Sequence, residues 1–315
     1  MDTHDLEMLA KRTRSMRETG IALLFASGIL AVFLLIPAKA NPVTPAVTVT
    51  TPATPDAFTK LPPIQAKAAI VYDLATGQTL YQKNATAQLP LASLTKLLTV
   101  YVALAELSPT TPITIPADVT QLSQPRAFSA GQVFALSDLA RLTLTASLND
   151  GAAALASATA AQENASETSM MASAASALGL SQTYALNGNG LDINTAISGG
   201  YGSAQDVARL AGALVQESPT IAAATTQSTA QGESEGGTSF TVKNTDPIVN
   251  TIPHLLLSKT GYTDLAGGNL ALVFDVGIGH PIAIVVLGSS IDARFTDGST
   301  LVAATLAHFA GLPSL

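Results

Sequence analysis

Apolar residues along this chain fall into runs of different period, and each period predicts an element. From Ile21 to Ile36 the run is nearly unbroken and follows Lys11, Arg12, Arg14 and Arg17. From Ala92 to Glu106 apolar residues recur at helical spacing behind a serine, which predicts a buried helix with Ser93 near its first turn. Between Leu142 and Ala156 one apolar helix halts at the polar step Ser147-Leu-Asn-Asp150, where Asp150 reads as a cap, and an Ala-rich helix restarts. Helical sequence continues to about Gln216, with Ser203 and Asp206 spaced as a capping box. Late in the chain Leu255–Leu257, Gly267–Phe274 and Pro281–Gly288 are apolar runs divided by turn residues, hence neighbouring strands. Gln231–Gly237 reads as an exposed hairpin or loop, and a last helix is expected over about Ser299–Ala310. A strand hairpin near the start, helices in the middle and strands near the end imply an α+β fold. One antiparallel sheet is joined from both termini, a helical lobe packs beside it, and a cleft lies between them.

Composition narrows this picture. The chain has 315 residues, 47% of them hydrophobic and 12% charged. Residues 41–63 are rich in Pro and Thr and predict an extended linker. Residues 64–315 are enough for one large folded domain with a substantial core. Residues 1–40 form the leader, whose basic flank and apolar run fit either a signal peptide or an N-terminal membrane anchor. The run exceeds the roughly 7–15 residues of a signal core. It falls short of the about 20 residues of a full span. Ala38-Lys39-Ala40 offers a cleavage site, while the long stretch before the run favours an uncleaved anchor. Either outcome places the remainder outside the cytoplasm. The absence of Cys excludes a thiol nucleophile and a disulfide scaffold, and a net charge of −7 argues against nucleic acid.

Candidate chemistry lies in three short motifs: Ser93-Leu-Thr-Lys96, Ser147-Leu-Asn149 and Lys259-Thr260-Gly261. On a helix, positions three apart share a face, so Lys96 can reach the Ser93 hydroxyl. A serine needs a base to become a nucleophile, and a solvated lysine, with a pKa of about 10.4, cannot serve. Leu91, Leu94 and Leu97 supply apolar surroundings that depress this pKa, and Lys259 is the expected second cation. Ser147 is placed to relay a proton to a leaving nitrogen, with Asn149 on the substrate amide or on Lys96. Lys259 and Thr260 suit a substrate carboxylate, and Gly261 leaves room for a substrate backbone along the strand. Each motif is weak alone, and their shared order is what carries weight. His4, His254, His280 and His308 sit in no hydrolase or zincin motif, and Gly199–Gly202 lacks the residues of a phosphate loop.

In these motifs and beyond them the chain resembles the serine-type D-alanyl-D-alanine carboxypeptidases, the low-molecular-mass penicillin-binding proteins of peptidase family S11. The resemblance extends from about Ala66 to Phe309. Ala69–Tyr81 resembles the family's first hairpin, Ala127–Gln132 the segment before the relay helix, and Asp292–Phe295 a stretch after the last core strand. Leu186-Asn-Gly-Asn-Gly-Leu191 is similar to an Asn-Pro-Asn-Gly-Leu loop, with Gly188 in place of proline. The resemblance implies a β-lactamase/transpeptidase-like fold, peptidoglycan stem peptides as substrate, β-lactams as inhibitors, and no cofactor or metal. It implies Ser93 as the acylated nucleophile, Lys96 as base, Ser147 and Asn149 as the relay motif, and Lys259 and Thr260 as carboxylate ligands. It further implies an oxyanion hole from the N–H groups of Ser93 and Tyr262, and Arg294 as a second carboxylate-binding cation. Family members often carry a C-terminal β-rich domain and anchor helix; neither is expected here, so any tether is N-terminal. Leu148 replaces a glycine and is expected to narrow the cleft; Gly151 replaces an alanine, and Ser258 precedes Lys259. The alternatives are a DD-endopeptidase, a class A β-lactamase with a Glu such as Glu163 or Glu167, and a wall-binding pseudoenzyme.

Overall fold

A computed structural model describes residues 8, 11–24, 57–59 and 61–311. The chain divides into two units, residues 1–53 and 54–315. In the first, residues 11–24 are helical and exposed throughout. The apolar run expected at 21–36 lies outside the described residues beyond residue 24. Among the described residues, no helix is long and apolar enough to cross a membrane.

In the second unit, strands β1 (Ala68–Asp73), β2 (Thr79–Lys83), β3 (Leu255–Thr263), β4 (Gly267–Asp275) and β5 (Pro281–Ser289) form one sheet. Its order is β3-β4-β5-β1-β2, and all pairings are antiparallel. The expected joining from both termini is the β1–β5 ladder, Ala68 opposite Leu287 through Asp73 opposite Ile282. Strand side chains alternate between faces, and here both faces are buried, which is why the strands read as continuous apolar runs. Ile70, Ala271, Val273, Ala283 and Val285 pack towards helices α1 (Thr95–Glu106), α2 (Leu136–Ala146) and α5 (Ala204–Glu217). Val71, Leu270, Leu272, Ile284 and Val286 pack against α7 (Ala293–Phe309) on the other face.

The helical lobe adds α3 (Asn149–Glu163), α4 (Glu167–Ala177) and α6 (Pro219–Ala224). Ser203 caps α5 as expected, its hydroxyl accepting from the Asp206 amide at 3.1 Å. The stretch 231–237 closes a hairpin between strands Thr229–Glu233 and Ser239–Lys243. Ahead of residue 64, Ala57 is buried and the Phe58 ring stacks on Tyr81, so packing begins within the Pro/Thr-rich stretch.

The last helix departs from its expected start near Ser299. It begins at Ala293, because Asp297 and Gly298 lie within the helix and serve packing there. The Asp297 carboxylate accepts from the amides of Gln65 and Ala66 and from the Ser289 hydroxyl, at 3.0, 2.9 and 2.7 Å. A Cβ at residue 298 would lie 2.7 Å from Leu270 Cδ2.

Candidate active site

The site begins with the turn that carries Ser93. Strand Leu89–Pro90 leads into a 3₁₀ turn over Ala92–Leu94, which continues as α1. Ala92 has φ 48°, a left-handed conformation unusual for a residue with a Cβ, and it is fully buried. Two features hold this turn. Asn269 donates from Nδ2 to the carbonyls of Pro90 and Leu91, both at 3.0 Å, and accepts from the Gly288 amide at 2.8 Å. Strand β3 presses against the turn at Gly261, where a Cβ would lie 2.9 Å from Leu91 O and 3.3 Å from Ser93 N. The missing side chain therefore admits the protein's own turn that carries Ser93, a different use from the substrate backbone expected there.

Lys96 is 0% exposed on an otherwise apolar helix, and three oxygens surround its amine. Nζ lies 2.7 Å from Ser93 Oγ, 2.7 Å from Asn149 Oδ1 and 2.6 Å from the Asn189 carbonyl. Two of these oxygens can only accept, so they engage two N–H groups whatever the charge. In the neutral amine the remaining position is a lone pair facing the Ser93 hydroxyl. Burial pushes the Lys96 amine down to about 7, opposed by the Asp150 carboxylate.

The opposite wall is built from the break between α2 and α3. Ser147 ends α2 in the left-handed region, φ 59°, and its Oγ accepts from Lys259 Nζ at 2.8 Å. Asn149 is held by its amide on Pro125 O at 2.8 Å and by Nδ2 on Ser123 O at 2.9 Å. Asp150, read as a cap, lies inside α3 and accepts instead from the amides of Ala127 and Phe128, at 2.9 and 2.8 Å. Lys259 is 1% exposed and also donates to the Thr260 carbonyl at 2.8 Å. Burial first, then the charges of Lys96 and Arg294, hold the Lys259 amine well below the ordinary lysine range, with Asp246 opposing. For Lys96 the dominant cause is burial, the first of the two causes expected from the sequence. Repulsion between the amines is mutual, so the pair holds one proton more readily than two.

All three motifs thus meet at one place. Arg294 reaches it too, but its Nη1 donates to the Gly261 carbonyl at 2.7 Å. The Tyr262 side chain, 47% exposed, lies at the end of β3. Leu148 does not narrow the cleft, because its side chain is buried in the main apolar cluster. Ser258 donates to the buried Asp246 carboxylate at 2.6 Å, and Thr260 Oγ1 shares a hydrogen bond with Thr245 Oγ1 at 2.6 Å. Glu167 accepts from Ser157 at 3.0 Å, and among the described residues no Glu hydrogen-bonds to Ser93, Lys96, Ser147 or Asn149. The sequence reading missed the Asn189 carbonyl, Asn269, Thr245 and Asp246. Only the Asn189 loop had left a signal, in its spacing of Asn and Gly.

A serine, two dry lysines and a second serine on a sheet edge beside a helical lobe define a serine hydrolase of the penicillin-binding, transpeptidase-like class. The peptidase S11 family model, D-alanyl-D-alanine carboxypeptidase, matches residues 53–290, and the chain belongs to this family of serine peptidases. It is 30% identical over 224 residues to a D-alanyl-D-alanine endopeptidase of Pseudomonas aeruginosa, a match covering 70% of each protein. A D-alanyl-D-alanine carboxypeptidase structure from Mycobacterium tuberculosis shares the fold at TM-score 0.71 and 24% identity, over 81% of this chain and 96% of that one. Penicillin-binding protein D2 of Listeria monocytogenes, solved in its ampicillin-bound form, aligns at TM-score 0.65 and 26% identity, over 76% of this chain and 97% of that one.

Proposed function

We propose that this protein is a D-Ala-D-Ala carboxypeptidase that trims peptidoglycan stem peptides through an acyl-enzyme on Ser93. The observation that carries the reading is the environment of Lys96 Nζ, two carbonyl-type acceptors and the Ser93 hydroxyl around an amine with no access to water. The uncharged amine takes the hydroxyl proton as Ser93 Oγ bonds to the carbonyl carbon between the two D-alanines. The amides of Ser93 and Tyr262 receive the oxyanion, and Lys259 with Thr260 holds the terminal carboxylate. When the C–N bond breaks, the leaving nitrogen takes a proton from Ser147, which Lys259 hydrogen-bonds and holds in place, and Lys96 replaces it with the proton taken from Ser93, becoming neutral again. Water then attacks the ester, the again-neutral Lys96 takes one of its protons and returns it to Ser93 Oγ as the ester C–O bond breaks, and the shortened peptide leaves as the free acid. β-Lactams, which present a similar amide and carboxylate, acylate the same oxygen.

Cleavage of D-alanyl cross-links is a second reading, favoured by the 30% identity to the Pseudomonas endopeptidase. A class A β-lactamase mechanism is disfavoured, since it needs a Glu to activate the deacylating water. The domain from residue 64 onward works outside the cytoplasm in this proposal. Supporting that placement are the basic residues ahead of the apolar run at 21–36 and the Pro/Thr-rich stretch at 41–63. The leader either tethers it to the membrane or is removed.

The test is intact-mass spectrometry after benzylpenicillin treatment, with peptide mapping, alongside product analysis on monomeric and cross-linked muropeptides. An adduct on Ser93 and D-alanine release from monomeric pentapeptide are expected. An adduct elsewhere, or D-alanine release unchanged in Ser93→Ala, would overturn the assignment.

A further inference from the structure

Two neighbouring carbonyls of β3 are held from opposite sides. The Thr260 carbonyl accepts from Lys259 Nζ, the amine that also donates to Ser147 Oγ across the cleft, so this carbonyl faces the cleft. The Gly261 carbonyl accepts from Arg294 Nη1 at 2.7 Å. Successive carbonyls along a strand point to opposite edges, and β3 is the outermost strand of its sheet. Gly261 C=O therefore points away from the cleft. The Gly261–Tyr262 peptide is trans, so the Tyr262 N–H points opposite to that carbonyl and into the cleft. Its neighbour there is the Ser93 amide, which lies 3.3 Å from the position of a Cβ on Gly261.

From this geometry we propose that Arg294 is a positioning residue for acylation. It fixes the plane of the Gly261–Tyr262 peptide and so aims the Tyr262 N–H at the oxyanion. This role differs from that of a second ligand for the substrate carboxylate, and it rests on Ser93 being the nucleophile. The guanidinium is built for a fixed post. Its carbon lies 4.6 Å from the centroid of the Phe295 ring, and its Nε is buried without an acceptor among the described residues. A donor aimed at an oxyanion loses its value when its direction wanders, because the charge it stabilises exists only in the transition state.

The test compares wild type, Arg294→Lys and Arg294→Met in single-turnover acylation by benzylpenicillin and by its methyl ester. The maximal acylation rate should fall about 100-fold in Arg294→Met, and less in Arg294→Lys, which keeps a donor on a long stem. The factor should be the same for acid and ester, with apparent binding constants changed by less than about threefold. Melting temperatures measured alongside identify a loss that is only unfolding, which would overturn the proposal, as would wild-type rates with both compounds. A loss confined to the acid, with weakened binding, would return Arg294 to the carboxylate and overturn it as well. Failure of wild type to acquire an adduct on Ser93 is a different result, since it removes the functional reading itself.

Discussion

Lys96 Nζ and the main-chain carbonyl of Asn189 stand 2.6 Å apart, and this contact fixes which way the amine's lone pair can point. With Asn149 Oδ1 taking a second N–H, the neutral amine has its free pair directed at Ser93. The chemistry should therefore follow deprotonation of Lys96, which burial brings down to about 7. Acylation by benzylpenicillin should rise about tenfold per pH unit below that value and flatten above it. Stability moves the same way. The folded pKa lies below the ordinary 10.5, so the unfolded chain binds more protons between those values, and the fold gains stability as pH rises through that window. Stopped-flow acylation across about pH 5.5 to 8.5 checks the rate, and a flat profile would show that Lys96 is not the base.

The Asn189 carbonyl is itself held by a loop that Asn187 closes. Asn187 Oδ1 accepts from the Gly190 amide at 2.7 Å, and its Nδ2 donates to the Leu191 carbonyl at 3.0 Å. Asn187→Ala opens both bonds without touching Lys96 or Ser93. The expected result is a fall in maximal acylation rate of about 10- to 100-fold, since small misplacements at a reacting centre have large effects. Penicillin binding before acylation should be little changed. An unaltered rate would mean that the loop keeps its shape without Asn187.

What the sequence showed and what it hid follow one division. Polar side chains at fixed motif spacing were legible: Ser93, Lys96, Ser147, Asn149 and Lys259 come together in one hydrogen-bonded cluster. The sheet was legible because both its faces are buried, which leaves unbroken apolar runs. Groups that act through the backbone left little trace, since every residue has a carbonyl and nothing in the letter Asn at 189 says where its own points. Asn269 was hidden for a related reason. It lies in an apolar strand, and its partners, Pro90 and Leu91, are distant in sequence. The α7 start was misplaced because Asp297-Gly298 has the composition of a turn while tertiary contacts hold it in a helix.

The Gly151 departure from the family pattern has a partner in Thr143. A Cβ at residue 151 would lie 2.1 Å from Thr143 Oγ1, a buried hydroxyl with no hydrogen-bond partner among the described residues. The hydroxyl occupies the space that an alanine methyl would take, so each residue is tolerated because of the other. Gly151→Ala alone should destabilise the protein by about 1–3 kcal/mol through overpacking. Adding Thr143→Ala should recover most of that loss, because the two changes share one volume. Chemical denaturation of the two single variants and the double variant measures the coupling. Additive effects would show that α2 and α3 relax apart instead.

Asn269 offers the most direct separation of nucleophile geometry from nucleophile chemistry. Its side chain donates to the carbonyls of the two peptide groups that flank Leu91, accepts from the Gly288 amide, and hydrogen-bonds to neither Ser93 nor Lys96. Asn269→Ala takes a donor from the Pro90 and Leu91 carbonyls, the latter keeping the Leu94 amide at 3.1 Å, and the acceptor from the Gly288 amide, at a cost of about 1–3 kcal/mol for an unpaired buried group. The strained conformation of Ala92 persists only while its surroundings hold it, so the turn should relax when those bonds are lost. Ser93 would then drift from Lys96, and the acylation rate should fall while the pH midpoint set by Lys96 stays near 7. Asn269→Asp is the sharper variant, because it places a carboxylate against two carbonyl oxygens at the same volume. It should lose more activity and more stability than Asn269→Ala, as read by acylation kinetics and thermal melting. A midpoint that moves with either substitution would instead mean that Asn269 acts through the charge balance around Lys96.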